Sequence, residues 1–153
     1  MLQPVAHALM QAREDLTRVV SQMTDAQLWS RPGGAAAAGF HVKHAMGSLD
    51  RLMTYARGEP LSAAQRSAFD VEYTDGDPAS ALLERAQNVI DSALEQLKGI
   101  SPDSLFEPRE IGRARLPSNV IGVLVHAAEH TARHVGQLIT TAKIVQSTLD
   151  KED

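Results

Sequence analysis

The segment "HAAEHTARHVGQ", residues 126–137, sets His126, His130 and His134 at four-residue intervals, and two more of the six histidines, His41 and His44, stand together in "FHVKH". Imidazoles one helical turn apart share a face and can ligate one first-row transition metal. A third imidazole from a facing helix would complete a three-histidine site with positions left open for water or substrate, as in catalytic rather than structural metal centres. Spacing alone leaves His126/His130 and His130/His134 as equally good pairs. An isolated H-x-x-x-H is usually solvated or at a core edge. What points to chemistry is that five of six histidines fall on two helical segments. His7, with no polar companions at helical spacing, reads as structural.

The surroundings of these histidines support a buried site. On a wheel of about 100° per residue with His126 at zero, His130, His134 and Gln137 fall at roughly 40°, 80° and 20°. Leu124, Ala128, Val135, Leu138 and Ile139 fill the arc from roughly 120° to 220°, leaving Glu129 and Arg133 a narrow polar strip. On the other segment His44, Ser48, Arg51 and Tyr55 cluster beside an apolar arc of Val42, Ala45, Leu49, Leu52 and Met53. Such a polar stripe against a core is costly unless its groups find partners.

The elements that must position these groups are helical. Apolar spacing predicts four long helices over about residues 4–22, 37–57, 78–98 and 118–146, in one domain of residues 1–153. Pro4 suits a first helical turn, Gly58 a C-terminal stop, and "DPAS" a start with Asp77 as N-cap. The fourth helix is expected to open at Ser118. "MTDAQLWSRPGG" offers a short capped turn and a breaker, and Trp29 there is expected to be a packing anchor. Strand signals are confined to residues 105–117, a candidate for a small hairpin-like excursion. The fold class is all-α, with a four-helix bundle as the default. The connection of residues 58–77 is several times the usual bundle loop, permits parallel neighbouring helices, and holds a Ser62–Gln65 capping box. Long ordered loops often cover sites.

Composition excludes several classes. A formal charge of −4 and a pI near 5.8 argue against nucleic-acid and membrane-surface binding. No apolar run reaches a membrane span and the first residues lack a signal-peptide pattern, so a cytoplasmic location is expected. The absence of cysteine rules out disulfides, thiolate ligands and a cysteine nucleophile. Any thiol used in the chemistry has to come from outside the chain.

"FHVKHAMGSLDRLMTYARG" together with "HAAEHTARHVGQLITTAKIV" resembles the DinB-like (damage-inducible) family of metal-binding helical bundles. The resemblance runs from "RPGG" through the His and Asp-Arg of the second helix to the His-x-x-x-His-x-Gly-Gln signature of the last. It implies an up-down-down-up four-helix bundle, a homodimer, and a metal on three histidines: His44, His130 and His134. His41 and His126 are extra to that pattern, as donors to the ligands, proton shuttles, alternate ligands or packing residues, and Gln137 would support a ligand. Arg51 and Tyr55 would orient an anionic or carbonyl group, or pin the second helix structurally.

Members of that family include transferases using a low-molecular-weight thiol (bacillithiol, mycothiol or glutathione), a mycothiol-dependent isomerase and metal-dependent hydrolases. The resemblance therefore implies a metal-dependent enzyme acting on a small-molecule substrate. A thiol S-transferase comes first, with a hydrolase or a non-catalytic metal or small-molecule binding module as alternatives. Three neutral imidazoles suit zinc or nickel, and also iron or copper.

Overall fold

The computed structural model describes residues 2–149, so the expected domain of residues 1–153 extends past it at both ends. Six α-helices run as α1 Gln3–Val20, α2 Asp25–Leu28, α3 Ala38–Ala56, α4 Ala63–Asp70, α5 Ala79–Lys98 and α6 Val120–Leu149, with strands β1 Pro108–Ile111 and β2 Leu116–Asn119 before the last. The described chain is mostly helical, and no helix in it is long and apolar enough to cross a membrane.

The four long helices share one core. α3 packs most extensively on α6, and α1 and α5 each lie against others of the set: α1 on α6 and α5, α5 on α3. Leu9 and Leu16 of α1, Val42 and Leu49 of α3, Ile90 of α5, and Leu124 and Leu138 of α6 are fully buried there. Each is worth roughly 1.5–3 kcal/mol of transfer free energy, so the α3–α6 contact that carries the histidines is strongly held.

Helix starts show how the connections are anchored. Ser62 and Gln65 form both halves of a capping box, which begins α4 inside the long connection. Gln65 also donates to Asp50 Oδ2 (2.9 Å) and Thr54 Oγ1 (2.8 Å), tying α4 to α3. Thr24 and Gln27 cap α2 in the same way. α5 differs from expectation, because Asp77 does not cap it. Pro78 occupies the N-cap position, and the Asp25 carboxylate accepts from Ala79 N at 2.7 Å. Asp77 is committed elsewhere: its carboxylate pairs with Lys43 (2.7 Å) and its carbonyl accepts from Trp29 Nε1 (2.9 Å). Trp29 thus anchors the start of α5 as well as packing on the core.

α6 starts at Val120 rather than Ser118, because Ser118 is paired with Arg109 in the β1–β2 ladder. Asn119 Oδ1 accepts from Gly122 N at 2.8 Å, doing the work of a cap. The hairpin is antiparallel, and Arg109 Nε donates to Ala56 O at 2.8 Å, closing the carboxyl end of α3. Its turn needs positive φ at Gly112 (+71°) and, unusually for a side-chain residue, at Arg115 (+48°).

Candidate metal centre

α3 presents His41 and His44 toward α6, and α6 presents His126, His130 and His134 along one stripe. His44, His130 and His134 converge so that one ring nitrogen from each lies within 4.8 Å of the others. His44 Nε2 and His130 Nε2 are 3.1 Å apart, and the His134 ring centroid lies 4.6 Å from each of theirs.

This donor set fits a metal ion. With bonds of about 2.1 Å, two imidazole nitrogens on one ion stand about 3.0 Å apart at a right angle and about 3.4 Å at the tetrahedral angle. The 3.1 Å between the two Nε2 atoms lies within that range. The buried Nδ1 of His130 has no hydrogen-bond partner, so the ring's polar contact is made through Nε2, the atom that faces His44.

The orientation of His44 is set from the long connection. Glu72 is 3% exposed and accepts from His44 Nδ1 at 3.0 Å, while its other oxygen takes a hydrogen bond from Arg51 Nη1. A carboxylate at Nδ1 puts the neutral ring's proton there and leaves the Nε2 lone pair facing the cluster, as carboxylate–histidine–metal triads do. Gly47, one turn beyond His44 on α3, makes room for this. A Cβ on Gly47 would overlap Glu72 Oε1. No sequence motif marked Glu72. The signal available was a glycine in mid-helix three residues after a candidate ligand, which lowers helix stability unless something approaches closely.

The remaining candidates divide. His41 is buried, 7% exposed, and its Nδ1 lies 3.2 Å from Nδ1 of His134. One of the two donates, so His41 sets which nitrogen of His134 is free. His126 stands at the rim, its side chain 42% exposed and its ring 5.6 Å from that of His130. Gln137 is exposed and makes no hydrogen bond to the cluster among the described residues. Arg51 holds Glu72 and also lines a cleft beside the cluster. Tyr55 lines that cleft and packs on the core. Phe40 stacks on His44 (5.5 Å) and on the exposed Tyr73 (5.2 Å), covering one side. His7 is exposed on α1.

Electrostatics favour the neutral ring at His41, His130 and His134. Burial, followed by the nearby His44, pushes His134 down to about 4, and the same two causes lower His41 and His130. Burial alone would raise Glu72, but the hydrogen bonds from His44 and Arg51 outweigh it and hold the carboxyl below its usual value. The consequence for stability has a definite sign. Below the ordinary histidine value of 6.5 the unfolded chain binds protons that the folded chain does not, so stability rises with pH in this window. Metal-free protein should lose stability steadily as pH falls from 6.5 toward 4, with loss of the Glu72 contribution adding at the acid end. Urea midpoints across that range should fall, and more shallowly in His134→Ala; a flat midpoint would contradict the burial of these rings in neutral form.

Residues 8–138 match the DinB superfamily. No curated protein matches the chain. Among solved structures, the crystal structure of a conserved protein from Enterococcus faecalis is similar with a TM-score of 0.79. The alignment covers 96% of this chain and 98% of that one at 17% identity, a likeness of fold.

Proposed function

The chain belongs to the DinB superfamily, and on that footing we propose that it is a metal-dependent transferase using a low-molecular-weight thiol, with His44, His130 and His134 holding a divalent transition metal. In this reading the four long helices form an up-down-down-up bundle in a single domain, working as a cytoplasmic homodimer on a small-molecule substrate. The observation that carries the reading is the convergence of three imidazoles around a point, one of them oriented by a buried carboxylate.

A metal held by His44, His130 and His134, zinc or nickel with iron and copper as compatible alternatives, would supply Lewis acidity that lowers the pKa of a thiol or water. The chain's own residues do the rest. Glu72 fixes His44 with Nε2 inward, and His41 accepts from His134 Nδ1, freeing Nε2 of that ring for ligation. His126, at the rim one turn before His130 with its side chain 42% exposed, is placed to take a proton from a thiol entering beside the cluster and hand it to solvent. Phe40 and Tyr73 shield the face of His44 from water. Because the chain has no cysteine, the thiol in this reading comes from outside it.

The test is turnover of monochlorobimane by zinc- or nickel-loaded protein with bacillithiol, mycothiol or glutathione in turn. Adduct formation is expected to need protein, metal and thiol together. Thiol-independent hydrolysis of an ester or amide would assign the hydrolase instead. Metal retention without turnover in either assay would leave a binding module.

A further inference from the structure

A cleft of about 500 Å³ opens beside the histidine cluster. Its walls come from the two segments in excess of a simple helical bundle. The long connection supplies Leu61, Arg66 and Phe69, and the hairpin supplies Ile111 at the end of β1 and Arg113 in its turn. The cleft adjoins the cluster at two lining residues. His126 neighbours His130, and Arg51 holds the carboxylate that holds His44.

The lining has a distinct chemistry. Three arginines line the cleft and no carboxylate does. Arg51 is balanced by Glu72, whereas Arg66 and Arg113 have no carboxylate partner among the described residues. The Arg51 and Arg113 guanidiniums lie over the Phe69 ring, 4.7 and 5.6 Å from its centroid. These contacts hold the partly exposed Phe69 ring as an apolar surface next to cationic groups. The floor is completed by Leu52 and Tyr55 of α3.

We propose that this cleft binds an apolar monocarboxylate, its anion on Arg66 and Arg113 and its body against Phe69, Leu61 and Ile111. Arg66 donates one N–H to the Leu61 carbonyl, and its remaining N–H groups, with those of Arg113, offer charge-assisted recognition of a carboxylate; the volume lies in the range of small-molecule sites. The apolar wall selects an aryl or branched alkyl body over a polar peptide-like one. The inference rests on the metal-centre reading only for which end of the ligand reacts; binding itself does not.

The probe is 3-phenylpropanoate, titrated calorimetrically into zinc-loaded protein, with its neutral amide and glutathione as comparisons. The acid should bind about tenfold or more tightly than the amide, and Arg66→Gln/Arg113→Gln should weaken it by a similar factor with zinc content unchanged. His130→Ala, which removes a metal ligand, should leave binding of the acid within about threefold. Equal binding by the double arginine variant would overturn the proposal. So would loss of binding in His130→Ala alone, which would put the carboxylate on the metal. Arginine-dependent binding of glutathione but not of phenylpropanoate would overturn it too, making the polar thiol the occupant. Zinc content and thiol-dependent turnover are measured separately. Wild-type protein that binds the acid without taking up zinc would sink the metal reading and leave the cleft standing.

Discussion

Glu72→Ala should destabilise the metal-free fold by about 3 kcal/mol and weaken metal binding at least tenfold, by roughly the amounts seen when a buried ion pair is broken and when a histidine ligand loses its carboxylate. Glu72 is 3% exposed and the Arg51 side chain only 12%, so removing the carboxylate leaves a guanidinium largely buried and unpaired. It also frees His44 to rotate and change tautomer. The two effects separate in a second variant. Arg51→Leu/Glu72→Leu removes both charges, so most of the stability should return while metal affinity stays low. Gly47→Ala, a change worth about 1 kcal/mol of stability in an ordinary helix interior, should here displace Glu72 and act in the opposite direction. Urea unfolding of metal-free protein and competition with a chelating dye measure the two quantities. Wild-type affinity in Glu72→Ala would mean that His44 is oriented by packing against Phe40 alone.

What could be read from the sequence, and what could not, follows from the range of the interactions. The grouping of His44 with His130 and His134 was legible because each stripe is a local consequence of helical periodicity, and the burial of α3 and α6 against each other brings the stripes together. Periodicity could not rank His126 against His134, since both sit one turn from His130; the family signature favoured His134, and the structure leaves His126 at the rim. Glu72 was invisible because it lies in a connection with no repeat to phase it, and its partners His44 and Arg51 are 28 and 21 residues away. The capping of α5 failed for a related reason. Asp77 has the right residue type but stands one residue before the N-cap with its carboxylate held by Lys43, and Asp25 caps from 54 residues away. The Ser62–Gln65 box, wholly local, was read correctly.

The second large effect is the loss of metal itself. Each of His44→Ala, His130→Ala and His134→Ala removes one of three imidazoles, leaving two neutral donors that no longer compete with free chelators. A ligand present at 100 times its dissociation constant stabilises the folded state by about 2.7 kcal/mol. Added zinc should therefore raise the melting temperature of the wild type and leave these three variants unmoved. His41→Ala should bind metal more weakly without losing it, because it acts through His134. His7→Ala, changed at an exposed position on α1, should match the wild type.

The most direct measurement is elemental analysis of purified protein after zinc loading and removal of the excess. The expected result is about one equivalent per chain in the wild type and in His7→Ala, against less than about a tenth in His44→Ala, His130→Ala and His134→Ala. Full occupancy in all three of those variants would contradict the assignment of the metal to this cluster.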